Sequence, residues 1–212
     1  MKIALFGASG MIGQRILNEA VSRGHNVTAI VRNPSKVDTT SPAVTALAGN
    51  ILDPKDVAAT VAGHDAVVSA YGPSHDTPET VIDSVRSLAG GLQEANVRRL
   101  VVVGGAGSLE VAPGVQLVDT PEFPAAWKAV ALAHRDALAA LKADGGNLDW
   151  TYVSPAAFIQ PGERTGSFRV GGTQLLTDAE GNSKISAEDF AIAIIDELEN
   201  RAHVQEQITA AY

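Results

Sequence analysis

The chain has no cysteine among its 212 residues, so disulfide bonds, thiolate nucleophiles and cysteine-bound metals are excluded. It also lacks an apolar run of the roughly 18 residues that a membrane-spanning helix requires. Its histidines are scattered without metal-ligand spacing, at His25, His64, His75, His134 and His203. We therefore expect no bound metal and no membrane partner.

Basic residues are in deficit as well. Lysine and arginine total 16 against 24 aspartates and glutamates, which gives a formal net charge of −8 and an isoelectric point near 5.0. A nucleic-acid partner or an anionic membrane surface would favour a basic face, so we expect neither. With 45% hydrophobic and 19% charged residues, the chain should form a substantial core rather than remain disordered.

The first thirteen residues carry the strongest positive signal. An apolar run over 2–6 predicts a buried strand, and helix-like residues follow from Met11. Between them Gly7, Gly10 and Gly13 are spaced as in a dinucleotide-binding turn, where they permit a tight turn, close approach of a pyrophosphate and close helix packing. The helix N-terminus would bind the phosphates, with Ser9, Met11 and Ile12 beside them. A purely structural strand-to-helix turn is the alternative.

Strand and helix patterns alternate along the rest of the chain, which is typical of an α/β protein with a parallel sheet. We predict strands near 2–6, 26–31, 44–48, 65–69, 99–103 and 148–153, and helices near 11–23, 54–61, 77–95, 124–143 and 187–199. The predicted fold is a Rossmann-type, doubly wound parallel sheet with helices on both faces.

The length fits a single domain covering 1–212. Within it, the glycine-rich segment 156–184 is predicted to form loops and short strands, a small substrate-side lobe near the C-terminus. Segment 104–123 has no clear period, and we expect a functional loop there. Because the first predicted strand begins at Lys2, it leaves no room for a signal peptide, and we expect a cytoplasmic protein.

In such a sheet the ligand lies beyond the carboxyl ends of the strands. After the second strand, Arg32 stands where an NAD site would have an acid, and Lys36 follows. Since a guanidinium can hold a 2′-phosphate bidentately, we favour NADP, with NAD possible. After the third strand, Ile51 and Leu52 could wall the adenine, and Asp53 could bind its amino group or only cap the next helix.

The remaining strand ends supply further predicted cofactor contacts. After the fourth strand these are Ser69, Ala70, Tyr71 and Gly72; after the fifth, Gly104 and Gly105; after the sixth, Ser154, Pro155 and Ala156. Three glycines within 104–107 indicate that another group packs closely against the backbone there, or that the backbone follows an unusual path. Phe158 could line the substrate pocket.

These motifs resemble the atypical short-chain dehydrogenase/reductases. The resemblance rests on Gly-Ala-Ser-Gly-Met-Ile-Gly at 7–13, Val-Arg-Asn-Pro at 31–34, Gly-Asn-Ile-Leu-Asp at 49–53, Asp-Trp-Thr-Tyr-Val-Ser-Pro at 149–155 and Ile-Ser-Ala-Glu-Asp-Phe-Ala at 185–191. The group that it points to comprises bacterial NAD(P)H-binding proteins related to flavin/biliverdin reductases, isoflavone-reductase-like enzymes and NmrA-like proteins. It implies a nicotinamide cofactor and hydride transfer.

The chain departs from the wider superfamily at the proton-donating pair. The resemblance implies a Tyr-x-x-x-Lys motif on the long helix, but the corresponding positions hold Trp127 and Ala131. Trp127 would then line the substrate site. Lys128 and His134 are the remaining candidates for a catalytic proton donor or a ribose contact, and Ser108 is a weaker one. The alternatives are an exposed lysine and a structural histidine.

These features favour an NADPH-dependent reductase whose small-molecule acceptor needs little enzymic acid, such as a flavin, a quinone or a conjugated carbonyl. The missing pair equally suits a non-catalytic NADP(H) sensor of the NmrA-like kind. An epimerase or dehydratase is the third possibility, which the short chain disfavours. We expect a monomer or a homodimer.

Overall fold

The computed structural model describes residues 1–212. The strands are β1 Lys2–Phe6, β2 Asn26–Val31, β3 Val44–Ala48, β4 Ala66–Ser69, β5 Arg99–Val103, β6 Glu110–Ala112, β7 Val115–Gln116, β8 Asp149–Pro155, β9 Phe158–Gln160, β10 Arg169–Gly171, β11 Lys184–Ser186 and β12 Glu206–Ala211. The α-helices are α1 Met11–Ser22, α2 Pro54–Val61, α3 Thr80–Glu94, α4 Ala125–Asp144 and α5 Ala187–Asn200.

Eight strands form one sheet in the order β10-β12-β8-β5-β4-β1-β2-β3, and only β10 runs antiparallel to its neighbour. The apolar sides of α1 and α5 pack on one face, where Ile16 and Ile194 belong to one core cluster. Helices α2, α3 and α4 cover the other face, where Leu88 and Leu138 belong to a second cluster. The predicted doubly wound Rossmann-type sheet with helices on both faces is therefore confirmed.

Local sequence signals position these elements. The strands β4 and β5 are buried along their whole length, as parallel strands covered on both faces must be. Asp53 caps α2 by accepting a hydrogen bond from the Lys55 backbone N–H at 2.9 Å. Gly24 ends the first helix in the left-handed region with φ of 79°. The predicted helix and strand positions hold to within a few residues.

Three regions differ from or refine the expectations. The last strand, β12, was not predicted; it pairs in parallel with β8 and is nearly all buried. Segment 104–123 contains two 3₁₀ turns and the small β6–β7 hairpin. Within 156–184, β9 pairs with β11, while β10 extends the main sheet at its edge. None of the helices is long and apolar enough to cross a membrane.

A buried ion pair ties α5 to the sheet. The Arg99 guanidinium donates to the Glu197 carboxylate at 2.9 Å and to the Thr151 hydroxyl at 2.8 Å. Both charged side chains are almost fully buried. Such a pair is retained only where further hydrogen bonds satisfy it, and here Arg99 also donates to the backbone oxygens of Asp149 and Glu197.

Candidate cofactor site

A cleft of about 400 Å³ opens at the carboxyl edge of the sheet. It lies where the chain order reverses between β1 and β4, the point at which doubly wound folds bind ligands. The lining comes from the first glycine turn and the ends of β2, β3 and β4: Phe6, Gly7, Ser9, Gly10, Met11, Ile12, Ile30, Val31, Arg32, Gly49, Asn50, Ile51, Leu52, Ala70, Tyr71 and Gly72.

The three glycines of the first turn have distinct structural roles. Gly7 has φ of 78°, and a Cβ there would lie 2.4 Å from the Ala70 carbonyl oxygen. A Cβ on Gly13 would lie 2.0 Å from the Gly7 carbonyl oxygen, so only glycine lets α1 pack against the turn. Gly10 has its nearest neighbour at 3.4 Å and borders the cleft. Gly7 and Gly13 thus shape the turn, and Gly10 leaves it open.

The N-terminus of α1 presents unpaired donors at this turn. Gly10 occupies the capping position and supplies no side-chain cap, and no acidic residue lies in the first turn of the helix. The backbone N–H groups of Met11, Ile12 and Gly13 have no acceptor within the chain. Free N–H groups at a positive helix end fit a pyrophosphate, so the turn can accommodate a dinucleotide.

Of the two basic residues predicted to bind a 2′-phosphate, only Arg32 borders the cleft. Its side chain is exposed and makes no ion pair or hydrogen bond within the chain. Lys36 ends the 3₁₀ turn Pro34–Lys36 and lines a separate groove beside α1 with Val37 and Asp38. The two cations are therefore not brought together around one pocket.

The predicted adenine walls, Ile51 and Leu52, line the cleft, and Leu52 is 39% exposed although apolar. Asp53 does not line it and is engaged as the cap of α2. Tyr71 lines the cleft, and its hydroxyl donates a hydrogen bond to the Thr80 hydroxyl at 2.9 Å, which fixes the ring. Five lining residues were not predicted to be part of the site: Phe6, Ile30, Val31, Gly49 and Asn50.

The glycine loop after β5 is packed against the protein itself. A Cβ on Gly104 would lie 2.0 Å from the Tyr152 ring, and one on Gly105 would lie 3.0 Å from the His134 Cβ. The close approach that the sequence indicated is thus made by Tyr152 and α4. Gly104 and Gly105 follow β5 at the same sheet edge as the cleft but are not among its lining residues.

The predicted contacts at the ends of β4 and β8 are mostly buried. Ser69, Ser154, Pro155 and Ala156 lie in the interior and do not line the cleft. Ser154 accepts a hydrogen bond at 3.0 Å from the Gln207 amide, which also donates to Ser108 at 2.9 Å. The Ser108 hydroxyl, considered as a proton donor, is therefore buried and engaged with Gln207.

The two catalytic candidates lie in different environments. Lys128 is exposed in the first turns of α4 and has no partner within the chain. His134 is partly buried two turns later, where its carbonyl accepts a hydrogen bond from the Tyr152 hydroxyl at 2.8 Å. Burial lowers the pKa of His134 to about 4 and raises the pKa of Tyr152 above its usual range. At neutral pH the imidazole is uncharged.

The two predicted substrate residues are exposed. Trp127 is 57% exposed on α4, and Phe158 is 60% exposed on β9. Trp127 packs against His75, with the ring centroids 5.0 Å apart. No group of three His, Asp or Glu side chains is placed to hold a metal ion.

The depressed pKa of His134 predicts a pH-dependent stability. The folded state resists protonation until about pH 4, whereas the unfolded chain binds the proton near pH 6.5, so stability falls as the pH drops through this window. The contribution should be about 2 kcal/mol, reduced from the full shift by partial exposure of the ring. Urea unfolding should show that the free energy of unfolding falls less between pH 7.5 and pH 4.5 in His134→Gln than in the unmodified protein. Identical losses in the two proteins would contradict this assignment.

Comparison with known proteins reveals the family. A family described as NAD(P)H-binding matches residues 7–201. A protein from Burkholderia pseudomallei, provisionally described as exported, is 54% identical with a TM-score of 0.91, and each chain is covered completely. A provisionally assigned epimerase from Bacteroides thetaiotaomicron is 39% identical with a TM-score of 0.93, covering 100% of this chain and 96% of that one.

A third solved structure carries a different provisional assignment. It is an NADH-flavin reductase from Streptococcus pneumoniae, 38% identical with a TM-score of 0.88, covering 100% of this chain and 99% of that one. Similar proteins of nearly the same length thus carry an epimerase and a reductase name. A chain of this length is therefore compatible with either name, and the residues of the site distinguish between them.

The chain belongs to the NAD(P)H-binding family, which confirms the resemblance to atypical short-chain dehydrogenase/reductases and indicates a nicotinamide cofactor. The family match does not distinguish NADP from NAD. The expected cytoplasmic location and the oligomeric state stay predictions, the former because the Burkholderia relative is described as exported.

Proposed function

We propose that this protein is an NADPH-dependent reductase that passes hydride to a planar acceptor, such as a flavin, a quinone or a conjugated carbonyl. The observation that carries the proposal is a cleft lined by the first glycine turn and the start of α1, in a chain whose α4 has no tyrosine. A reductase that forms an alcohol must protonate an alkoxide and needs an acid at that place. A reductase that passes hydride to a flavin or a quinone does not need such an acid.

The proposed cofactor contacts follow from the lining of the cleft. Gly10 and the free N–H groups of α1 would bind the pyrophosphate, and Arg32 the 2′-phosphate. Ile51 and Leu52 would flank the adenine, while Tyr71 would cover the middle of the cleft. The other proposed contacts also line the cleft: Ser9, Met11, Ile12, Ala70 and Gly72.

The reduced nicotinamide, when bound, supplies a hydride to the acceptor. The chain's own groups near α4 are poor acids, because His134 is uncharged at neutral pH and the Tyr152 hydroxyl is bonded to a backbone carbonyl. Reduction of a quinone to a hydroquinone consumes one hydride and one proton, and water can supply the proton. The protein then contributes mainly the orientation of the two reacting rings.

The same absence of an acid supports a second candidate, a non-catalytic protein that senses the NADP(H) state. An epimerase is less well supported, because α4 also lacks the Tyr-x-x-x-Lys arrangement. Lys128 is a candidate ribose or proton contact in either case, although its exposed position gives it no fixed partner.

The discriminating experiment is anaerobic NADPH consumption with FMN, menadione and a conjugated enone, each compared with a protein-free reaction. A reductase should consume NADPH faster than that background with at least one acceptor. Saturable NADPH binding without consumption by any of them would overturn the reductase proposal in favour of the sensor. In the Arg32→Ala variant, the rate of acceptor reduction at a low NADPH concentration should be close to the rate at the same concentration of NADH.

A further inference from the structure

The first two turns of α4 form an uncovered apolar surface. Seven of the eight residues in 125–132 are apolar, the exception being Lys128, and none of the eight is buried. Core packing of this helix begins only at Ala133. An apolar helix end that the protein does not cover is typical of a binding surface.

This surface lies at the same edge of the sheet as the cofactor cleft. Helix α4 connects β5 to the parallel strand β8, so it runs back against the strands and begins at their carboxyl edge. Its position is fixed where Gly105 and Gly107 approach His134 and Ala131. The segment 125–132 therefore begins at the same sheet edge as the cleft, on the side of β4 opposite to β2 and β3.

The loop after β4 connects the cleft to this surface. It begins with Ala70, Tyr71 and Gly72, which line the cleft, and reaches His75, whose ring contacts Trp127. The two ring planes are tilted by 54°, so they do not stack face to face. Neither side chain makes a hydrogen bond, and Trp127 is 57% exposed. A face of the indole is therefore free for another ring.

We infer that Trp127 and His75 form an aromatic platform that receives the acceptor by ring stacking and restricts it to fused, conjugated ring systems. The inference rests on the proposed reductase function and adds His75, which the sequence motifs did not indicate. An indole face binds a planar ring by stacking, without requiring a defined hydrogen-bond pattern. It therefore selects for flatness and size rather than for one substituent.

The test uses Trp127→Leu, His75→Ala and the conservative Trp127→Phe. Losing the indole should raise the KM for FMN and menadione about tenfold with kcat and the NADPH Kd unchanged, and His75→Ala should raise it about threefold. Trp127→Phe should stay within about threefold of the unmodified protein. Val204→Ala removes an exposed apolar side chain far from the cofactor edge and should change none of these three quantities.

A binding readout keeps this inference separate from the proposed function. Trp150, the other tryptophan, is buried, so FMN should quench mainly the Trp127 fluorescence of the unmodified protein. In Trp127→Leu, flavin binding followed by the fluorescence of the flavin itself should be weaker, whether or not turnover occurs. Turnover with an unchanged KM in Trp127→Leu would overturn the platform while leaving the reductase intact. A dimer that dissociates in Trp127→Leu with an unchanged KM would assign the surface to a second copy of the chain and overturn it as well.

Discussion

Replacing Arg32 with alanine is expected to weaken NADPH binding by about 10- to 100-fold while leaving NADH binding nearly unchanged. Arg32 borders the cleft at the end of β2 and has no partner within the chain, so its guanidinium is free to bind a phosphate. A charge-assisted hydrogen bond of this kind contributes about 1.5–3 kcal/mol. NADH lacks the 2′-phosphate, so the variant should lose the discrimination between the two. Fluorescence titration of each protein with NADPH and with NADH measures the two affinities.

Two further variants make the result specific to the bidentate contact. Arg32→Lys keeps the charge without the planar fork and should give an intermediate affinity for NADPH. Arg86→Ala removes an exposed arginine on α3, paired only with Asp144, and should change neither affinity. An equal loss of NADPH and NADH affinity in Arg32→Ala would show that the arginine supports the cleft without reading the 2′-phosphate.

Adding one methyl group at Gly13 is expected to destabilise the whole fold. The new Cβ would lie 2.0 Å from the Gly7 carbonyl oxygen, so α1 must move away from the turn. Overpacking of a tight contact costs about 1–3 kcal/mol and sometimes more, and backbone atoms cannot yield as a flexible side chain does. We expect a loss of about 3 kcal/mol in Gly13→Ala, a fall in Tm of about 6–12 °C, and loss of NADPH binding. Thermal unfolding followed by circular dichroism measures the first two.

Gly10→Ala separates binding from folding within the same turn. Its Cβ would have 3.4 Å to the nearest atom and point to open space at the cleft, so the fold should persist while NADPH binding weakens. Gly90→Ala, in the exposed middle of α3 with 3.7 Å to its nearest neighbour, should leave the stability unchanged or raise it by about 0.5–1 kcal/mol. A Gly13→Ala protein with the Tm of the unmodified chain would contradict the packing argument.

Much of the lining of the cleft was predictable, because its signals are local in the sequence. A strand, a glycine turn and a helix in succession are typical of a phosphate-binding turn. Arg32 follows its strand directly, so its place at the sheet edge follows from the alternation of strands and helices. Lys36 was harder, because the 3₁₀ turn that begins at Pro34 carries the chain away from the cleft into a neighbouring groove.

The contacts outside the cleft join segments that are distant in the sequence, and no local pattern predicts them. The glycines at 104–107 indicated a close approach, but that Tyr152 and His134 make it follows only from how α4 and β8 pack. The pair Arg99 and Glu197 lies 98 residues apart in the chain and has no local pattern. His75 is likewise an ordinary loop residue until the fold places its ring against Trp127.

The most direct test of the central claim is hydride transfer from NADPH deuterated on one face of its nicotinamide ring, run once for each face. A protein that orients the cofactor in the cleft against a planar acceptor should slow with the label on one face only, with a primary isotope effect in single turnover. The label should then be lost from that face of the cofactor. Identical rates for the two faces, or no enzyme-dependent consumption with any acceptor, would contradict the account.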